Sequence, residues 1–121
     1  MAKTAKGVVI AKSVEELHSA NNNLTKETVL DEKGLLVNGR TEKPNKHDML
    51  TGSRPDGTAF PGAFFQGGTD GSAMLGHHDR AGPIQSSWAI SWNSAHPSVG
   101  CDPASLAKTG GAGLFYRFAA E

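Results

Sequence analysis

Glycine and proline punctuate this sequence too densely for long regular helices, with fifteen glycines and six prolines among 121 residues. Glycine surrenders the most backbone freedom on folding and proline cannot donate a helix or ladder hydrogen bond, so the chain is expected to consist of short elements joined by turns and loops. A chain of this length supports one hydrophobic core, and residues 1–121 read as a single domain.

Charge narrows the partners. Twelve Lys and Arg balance twelve Asp and Glu, so the positive field that draws proteins onto nucleic acid or anionic lipid is missing, and nucleic acid is not expected as a partner. No apolar run approaches the roughly 20 residues that cross a bilayer, so no membrane insertion is expected. Met1 to Lys6 lacks the apolar run of a signal peptide, and Cys101 is the only cysteine, which rules out an intrachain disulfide. A reducing cytoplasm is the expected folding compartment. The two halves differ: residues 1–60 carry nine basic and eight acidic side chains, residues 61–121 three and four. Both Trp, the only Tyr and four of five Phe lie in the second half, where the larger aromatic core is expected.

Local signals place the elements. Gly7 to Ala11 reads as a buried strand, and Ser13-Val14-Glu15-Glu16 is a capping box that should open a short helix. Thr28-Val29-Leu30 and Leu35-Leu36-Val37 flank Asp31-Glu32-Lys33-Gly34 as a predicted hairpin. Arg54-Pro55-Asp56-Gly57 is a turn, and Phe64 to Ser72 a long glycine-rich loop. Asp102-Pro103 supplies an N-cap and a first-turn proline for a second short helix, closed by Gly110-Gly111. Gly113 to Ala119 reads as a central strand, apolar on both faces but for Arg117. Free termini fray unless held, so packing into an assembly is expected to order them.

Five blocks occur in a fixed order: Leu50 to Phe60, Gly76-His77-His78-Asp79-Arg80, Ser91 to His96, Gly100-Cys101, and Thr109 to Tyr116. In this order they resemble a family of bacterial secreted domains described as lectin-like and similar to the endostatin domain of collagens, a variant of the C-type lectin-like fold. The resemblance spans roughly residues 7 to 120. It implies an α+β domain with a short twisted antiparallel sheet, two short helices and long glycine-rich loops. The family's Cys-x-x-Trp segment is replaced by Pro61 to Gln66, and its Tyr-Cys-Phe-Ala strand reads Tyr116-Arg117-Phe118-Ala119. Both family disulfides and an early helix are therefore without counterparts, which implies adaptation to folding in a cytoplasm, as for a virion protein.

Two functions of different class follow. The first is a non-enzymatic binding module for a glycan or other cell-surface ligand, using Trp88, His77, His78, Asp79, Arg80, Asn93 and His96. An aromatic face packs on the apolar face of a pyranose while neighbouring polar groups bond its hydroxyls. Trp88 is the better candidate for that role, because Trp92 reads as core. The second is a structural, decoration or fibre subunit of a phage or similar assembly, working as a homo-oligomer through Phe64, Phe65, Ile84 and Ile90. His77, His78 and Asp79 with His47, Asp48 and His96 have the side chains of a divalent-metal site, but their spacing is unspecific. Hydrogen bonding to loop backbone is the expected use of these groups, and no metal or other cofactor is expected. Adjacent strand residues point to opposite faces, so at most one of His77 and His78 can join Asp79 or His96. Glu42-Lys43-Pro44-Asn45 resembles the Glu-Pro-Asn calcium motif of C-type lectins, interrupted by Lys43. No hydrolase signature appears, and no enzymatic activity is expected.

Overall fold

Ser13 shows how closely the chain follows its local signals. Its hydroxyl accepts from Glu16 N at 3.1 Å, and Glu16 Oε2 accepts from Lys12 N at 2.5 Å. This reciprocal cap opens α1 (Val14–Leu17) directly after β2 (Val9–Ala11), itself paired with β1 (Ala2–Lys3). The computed structural model describes residues 1–60, 71–84, 86–100 and 102–120. Its remaining named elements are β3 (Asp48–Leu50), β4 (Met74–His77), β5 (His96–Pro97), α2 (Pro103–Ala107) and β6 (Ala119–Ala120).

The architecture is a small α+β domain with two antiparallel three-stranded sheets, ordered β2-β1-β6 and β3-β4-β5, and two short helices. Where one sheet is expected, two are found. β1 and β6 pair through Ala2↔Ala120 and Lys3↔Ala119, so the two ends of the chain hold one another. At the second helix, Asp102 accepts from Ser105 N at 2.9 Å, Pro103 follows, and Leu106 is the side chain buried. Gly57 has the positive φ that the turn after Arg54 requires, and its N–H closes that turn on Arg54 O at 2.9 Å.

Ile10, Leu24 and Trp92 form the buried apolar centre, with Leu17, Val29, Tyr116 and Phe118 packed against it. Trp92 meets Tyr116 and Phe118 edge-on at centroid distances of 5.4 and 6.1 Å, and the Tyr116 hydroxyl donates to Trp92 O at 2.8 Å. Trp92 is therefore core, as its sequence block indicates.

Two strand expectations need correction. The Asp31 to Gly34 turn forms as predicted, with Asp31 Oδ1 accepting from Lys33 N and Leu35 N, but the arms meet at a single bridge, Leu30↔Leu36. Gly113 to Phe118 is not a central strand, and only Ala119–Ala120 joins a sheet. Leu114, Tyr116 and Phe118 are partly buried while Phe115 and Arg117 are exposed. The segment has one inward face, and the apolar Phe115 disguised the alternation in the sequence. Arg117 on the outward face then needs no special account.

Candidate functional site

The sheet register builds the site. β3 and β4 run antiparallel with Asp48 opposite His77, and β4 and β5 with Leu75 opposite His96. Opposed residues share a face and period two puts Leu75 and His77 together, so Asp48, His77 and His96 project from the same side of this sheet. Gly76 allows the layer to close from the other side. A Cβ there would lie 1.7 Å from Trp92 O, so only glycine lets residues 91–93 pack against β4. His77 N then donates to Ser91 O at 2.9 Å.

Three imidazole nitrogens converge on one carboxylate oxygen. Asp48 Oδ1 lies 3.1 Å from His77 Nε2, 3.3 Å from His47 Nε2 and 3.6 Å from His96 Nε2. The His47 and His77 rings stack at a centroid distance of 4.0 Å, and His96 meets His77 edge-on at 5.0 Å. The side chains of Asp48, His77 and His47 are 0%, 1% and 4% exposed, and that of His96 is 24% exposed. The other ring nitrogens are engaged: His47 Nδ1 with Asp79 Oδ1 at 3.0 Å, His77 Nδ1 with Ala89 O at 2.7 Å, and His96 Nδ1 with Pro97 O at 3.0 Å. Asp48 Oδ2 accepts from the Thr109 hydroxyl at 2.5 Å.

Burial pushes the Asp48 carboxyl upward, while the imidazoles of His77 and His96, when a ring carries its Nε2 proton, together with the Thr109 hydroxyl pull the group well below its ordinary range. Asp79 behaves alike: burial raises it, yet the His47 ring and the Arg40 and Ala81 amides bring it down to about 2. The His96 contact to Asp48 raises that imidazole against the opposing effect of burial.

His47, His77 and His96 open onto a cavity of about 600 Å³, walled by Arg40, Asn45, Pro83, Trp88, Lys108 and Thr109. Trp88, 41% exposed, stands at its side with the indole edge-on to His96 at 6.4 Å. No Asp or Glu lines the cavity among the described residues.

The structure separates the ligand set expected from the sequence. Trp88, His77 and His96 line the cavity, and Asp79 supports it from behind through His47. His78 lies in the turn just past β4 and does not line the cavity. It is fully buried, its Nε2 donates to Asn38 O at 3.0 Å, and burial lowers its affinity for a proton. Arg80 turns inward to Leu24 O at 2.8 Å and to Asn22 Oδ1. Asn93 ties down the 53–55 loop, donating to Arg54 O at 3.0 Å and Ser53 Oγ at 3.2 Å. Arg80 and Asn93 thus serve loop architecture. Ile84 and Ile90 are exposed, whereas Phe64, Phe65 and Cys101 lie outside the described residues. Arg40, Lys108 and Thr109 carry no signal of their own in the sequence, because only the folded chain brings them to the β3–β4 pair.

Comparison with known proteins adds no identity: no family model, no curated protein and no solved structure matches this chain. Among the described residues, no helix is long and apolar enough to cross a membrane.

Proposed function

We propose that this protein is a binding module of lectin-like character, taking a glycan or other polar cell-surface ligand in the cavity beside Trp88. The observation that carries the reading is an exposed indole set at the wall of a concave site whose floor is polar. Trp88 offers a flat apolar face, while Asn45, Thr109, Arg40 and Lys108 offer donors and acceptors around it. That combination suits a ring with one apolar face and a rim of hydroxyls. Arg40 and Lys108, with no lining carboxylate among the described residues, favour ligands that are neutral or anionic over cationic ones. The reading treats the protein as non-enzymatic, consistent with a site organised around recognition groups.

Glycan-array screening followed by Trp88 fluorescence titration tests it. Reproducible binding that disappears in Trp88→Ala, with the circular dichroism spectrum unchanged, supports the proposal. Silence across a broad array, or binding indifferent to Trp88→Ala, refutes it.

A second reading, a self-associating structural or virion subunit, draws on a different feature. Phe115, 67% exposed, lines a second concavity of about 660 Å³ together with Ile10, Val29, Val37 and Leu114. Sedimentation at high micromolar concentration separates the readings: a discrete dimer or trimer broken by Phe115→Asp favours the subunit, and a persistent monomer removes it.

A further inference from the structure

Hydrogen-bond arithmetic at Asp48 does not close with protein groups alone. The Nδ1 atoms of His47, His77 and His96 face a carboxylate or a backbone carbonyl, none of which has a hydrogen to give. Each Nδ1 therefore carries the proton, and a neutral ring then presents a bare lone pair at Nε2. All three Nε2 atoms lie 3.1 to 3.6 Å from Asp48 Oδ1, another lone-pair atom. Asp48 Oδ1 and His77 Nε2 are fully buried and have no hydrogen-bond partner among the described residues. Orphaned acceptors of this kind are costly and rare.

Protonation repairs this poorly. One imidazolium could serve Asp48, but two lone pairs would remain, and charging both His47 and His77 would stack two cations at 4.0 Å. Charge points the same way. Asp48 and Asp79 are buried carboxylates, and neither has a Lys or Arg within 4.0 Å among the described residues. A single dication would balance both.

We infer that His47 Nε2, Asp48 Oδ1 and His77 Nε2 are the protein ligands of a first-row divalent metal ion, zinc or a metal of its class, with the remaining position open on the cavity side. Metal–nitrogen and metal–oxygen bonds of about 2.1 Å at a tetrahedral angle hold neighbouring ligand atoms about 3.4 Å apart. The separations of 3.1 and 3.3 Å from Asp48 Oδ1 lie close to that value, and the donor atoms of His47, Asp48 and His77 all lie within 4.8 Å of one another. His96 Nε2, 3.6 Å from Asp48 Oδ1, stands outside this set on the cavity side. Two imidazoles and one carboxylate oxygen select zinc, cobalt or nickel over calcium and magnesium, which want oxygen ligands. The second layer is in place: Asp79 orients His47, the Ala89 carbonyl His77, and Thr109 the free oxygen of Asp48. The metal also accounts for the polar floor of the cavity that Trp88 and the two cations wall. This inference stands apart from the identity of the cavity's ligand.

The test is metal binding by the purified chain after chelator treatment and dialysis. Titration with Zn²⁺ by calorimetry should give one equivalent per chain, and Co²⁺ should produce the visible absorption of a four-coordinate nitrogen–oxygen site. Magnesium should give neither signal. Zinc should raise the melting temperature by several degrees when it is 100-fold above its Kd. His47→Ala and His77→Ala, each checked for an unchanged circular dichroism spectrum, should weaken zinc binding at least 100-fold. Asp79→Asn, one layer out, should weaken it about 10- to 100-fold, and His18→Ala, remote from the site, should leave it unchanged. Absence of a stoichiometric zinc site overturns the inference. So does a site whose affinity survives both His47→Ala and His77→Ala.

Discussion

Replacing Gly76 by alanine adds one methyl group where the structure has no room for it. The added carbon would sit 1.7 Å from Trp92 O, 2.3 Å from Trp92 C and 2.7 Å from Asn93 Cα. An ordinary carbon–oxygen contact is about 3.5 Å, so residues 92–93 must retreat by well over an ångström. They are pinned from several sides: Tyr116 Oη donates to Trp92 O at 2.8 Å, Thr51 Oγ1 to Asn93 O at 2.5 Å, and Ala95 N to Leu75 O at 2.6 Å. Losing two of these bonds costs about 1 kcal/mol each, and overpacking adds about 1–3 kcal/mol. The expected penalty is about 3–5 kcal/mol, a large share of the ~5–15 kcal/mol that holds a domain together. Urea unfolding followed by tryptophan fluorescence should show it. With a slope of about 1.5 kcal/mol per molar urea, the midpoint falls by about 2–3 M, or the variant is unfolded from the start. Gly7→Ala is the control. Gly7 has a φ of +82° and nothing within 4 Å of the place its methyl would take, so only backbone strain of about 1 kcal/mol is at stake. A Gly76→Ala midpoint equal to or above that of Gly7→Ala would refute the close-approach argument.

Leu75→Ala should cost about 2–5 kcal/mol, because its side chain is 1% exposed at the centre of the β3-β4-β5 sheet; chemical denaturation measures it. Tyr116→Phe removes the bond to Trp92 O from a buried acceptor and should cost about 1 kcal/mol by the same assay, with the fold retained. The Asp102 carboxyl is held below its ordinary range by the Ser105 hydroxyl and amide, so its contribution to stability is complete above about pH 4 and is lost as pH falls through the depressed value. Asp102→Asn, which keeps a capping side chain, should therefore show a flatter dependence of melting temperature on pH between about 2 and 4 than the parent chain.

What could be read in the sequence was local. Ser13 with Glu16, Asp102 with Pro103, the Asp31 turn and the Arg54 turn all formed, because each is settled within a few residues by a side chain and the nearest amides. His77 and His78 do part company, but His78 lies in the turn just past β4, so the strand alternation expected for the pair ends at His77. The meeting of Asp48 with His77 was not legible. It depends on strand register, and no short-range signal says which residue of Asp48–Leu50 stands opposite which of Met74–His77. The weight given to backbone hydrogen bonding for the histidines was half right: it describes the Nδ1 edges of His77 and His96 and the Nε2 edge of His78, but not the three Nε2 edges turned on one oxygen. Arg80 and Asn93, expected among the ligand groups, bond distant carbonyls that a sequence does not reveal, Leu24 lying 56 positions from Arg80 and Arg54 lying 39 from Asn93.

The pairing of β1 with β6 sets how the domain answers to mechanical load. Ala2 stands opposite Ala120 and the two strands run antiparallel, so both chain ends leave the sheet on the same side. Tension applied through the ends acts across the ladder and not along it, and the bonds of so short a pair open one after another like a zipper. The β2-β1-β6 sheet then parts first, before load reaches the Leu50–Leu114 and Asp48–Gly110 bonds that tie the C-terminal segment to the sheet carrying Asp48, His77 and His96. A pull on this domain would strip its fastening before it disturbed its site.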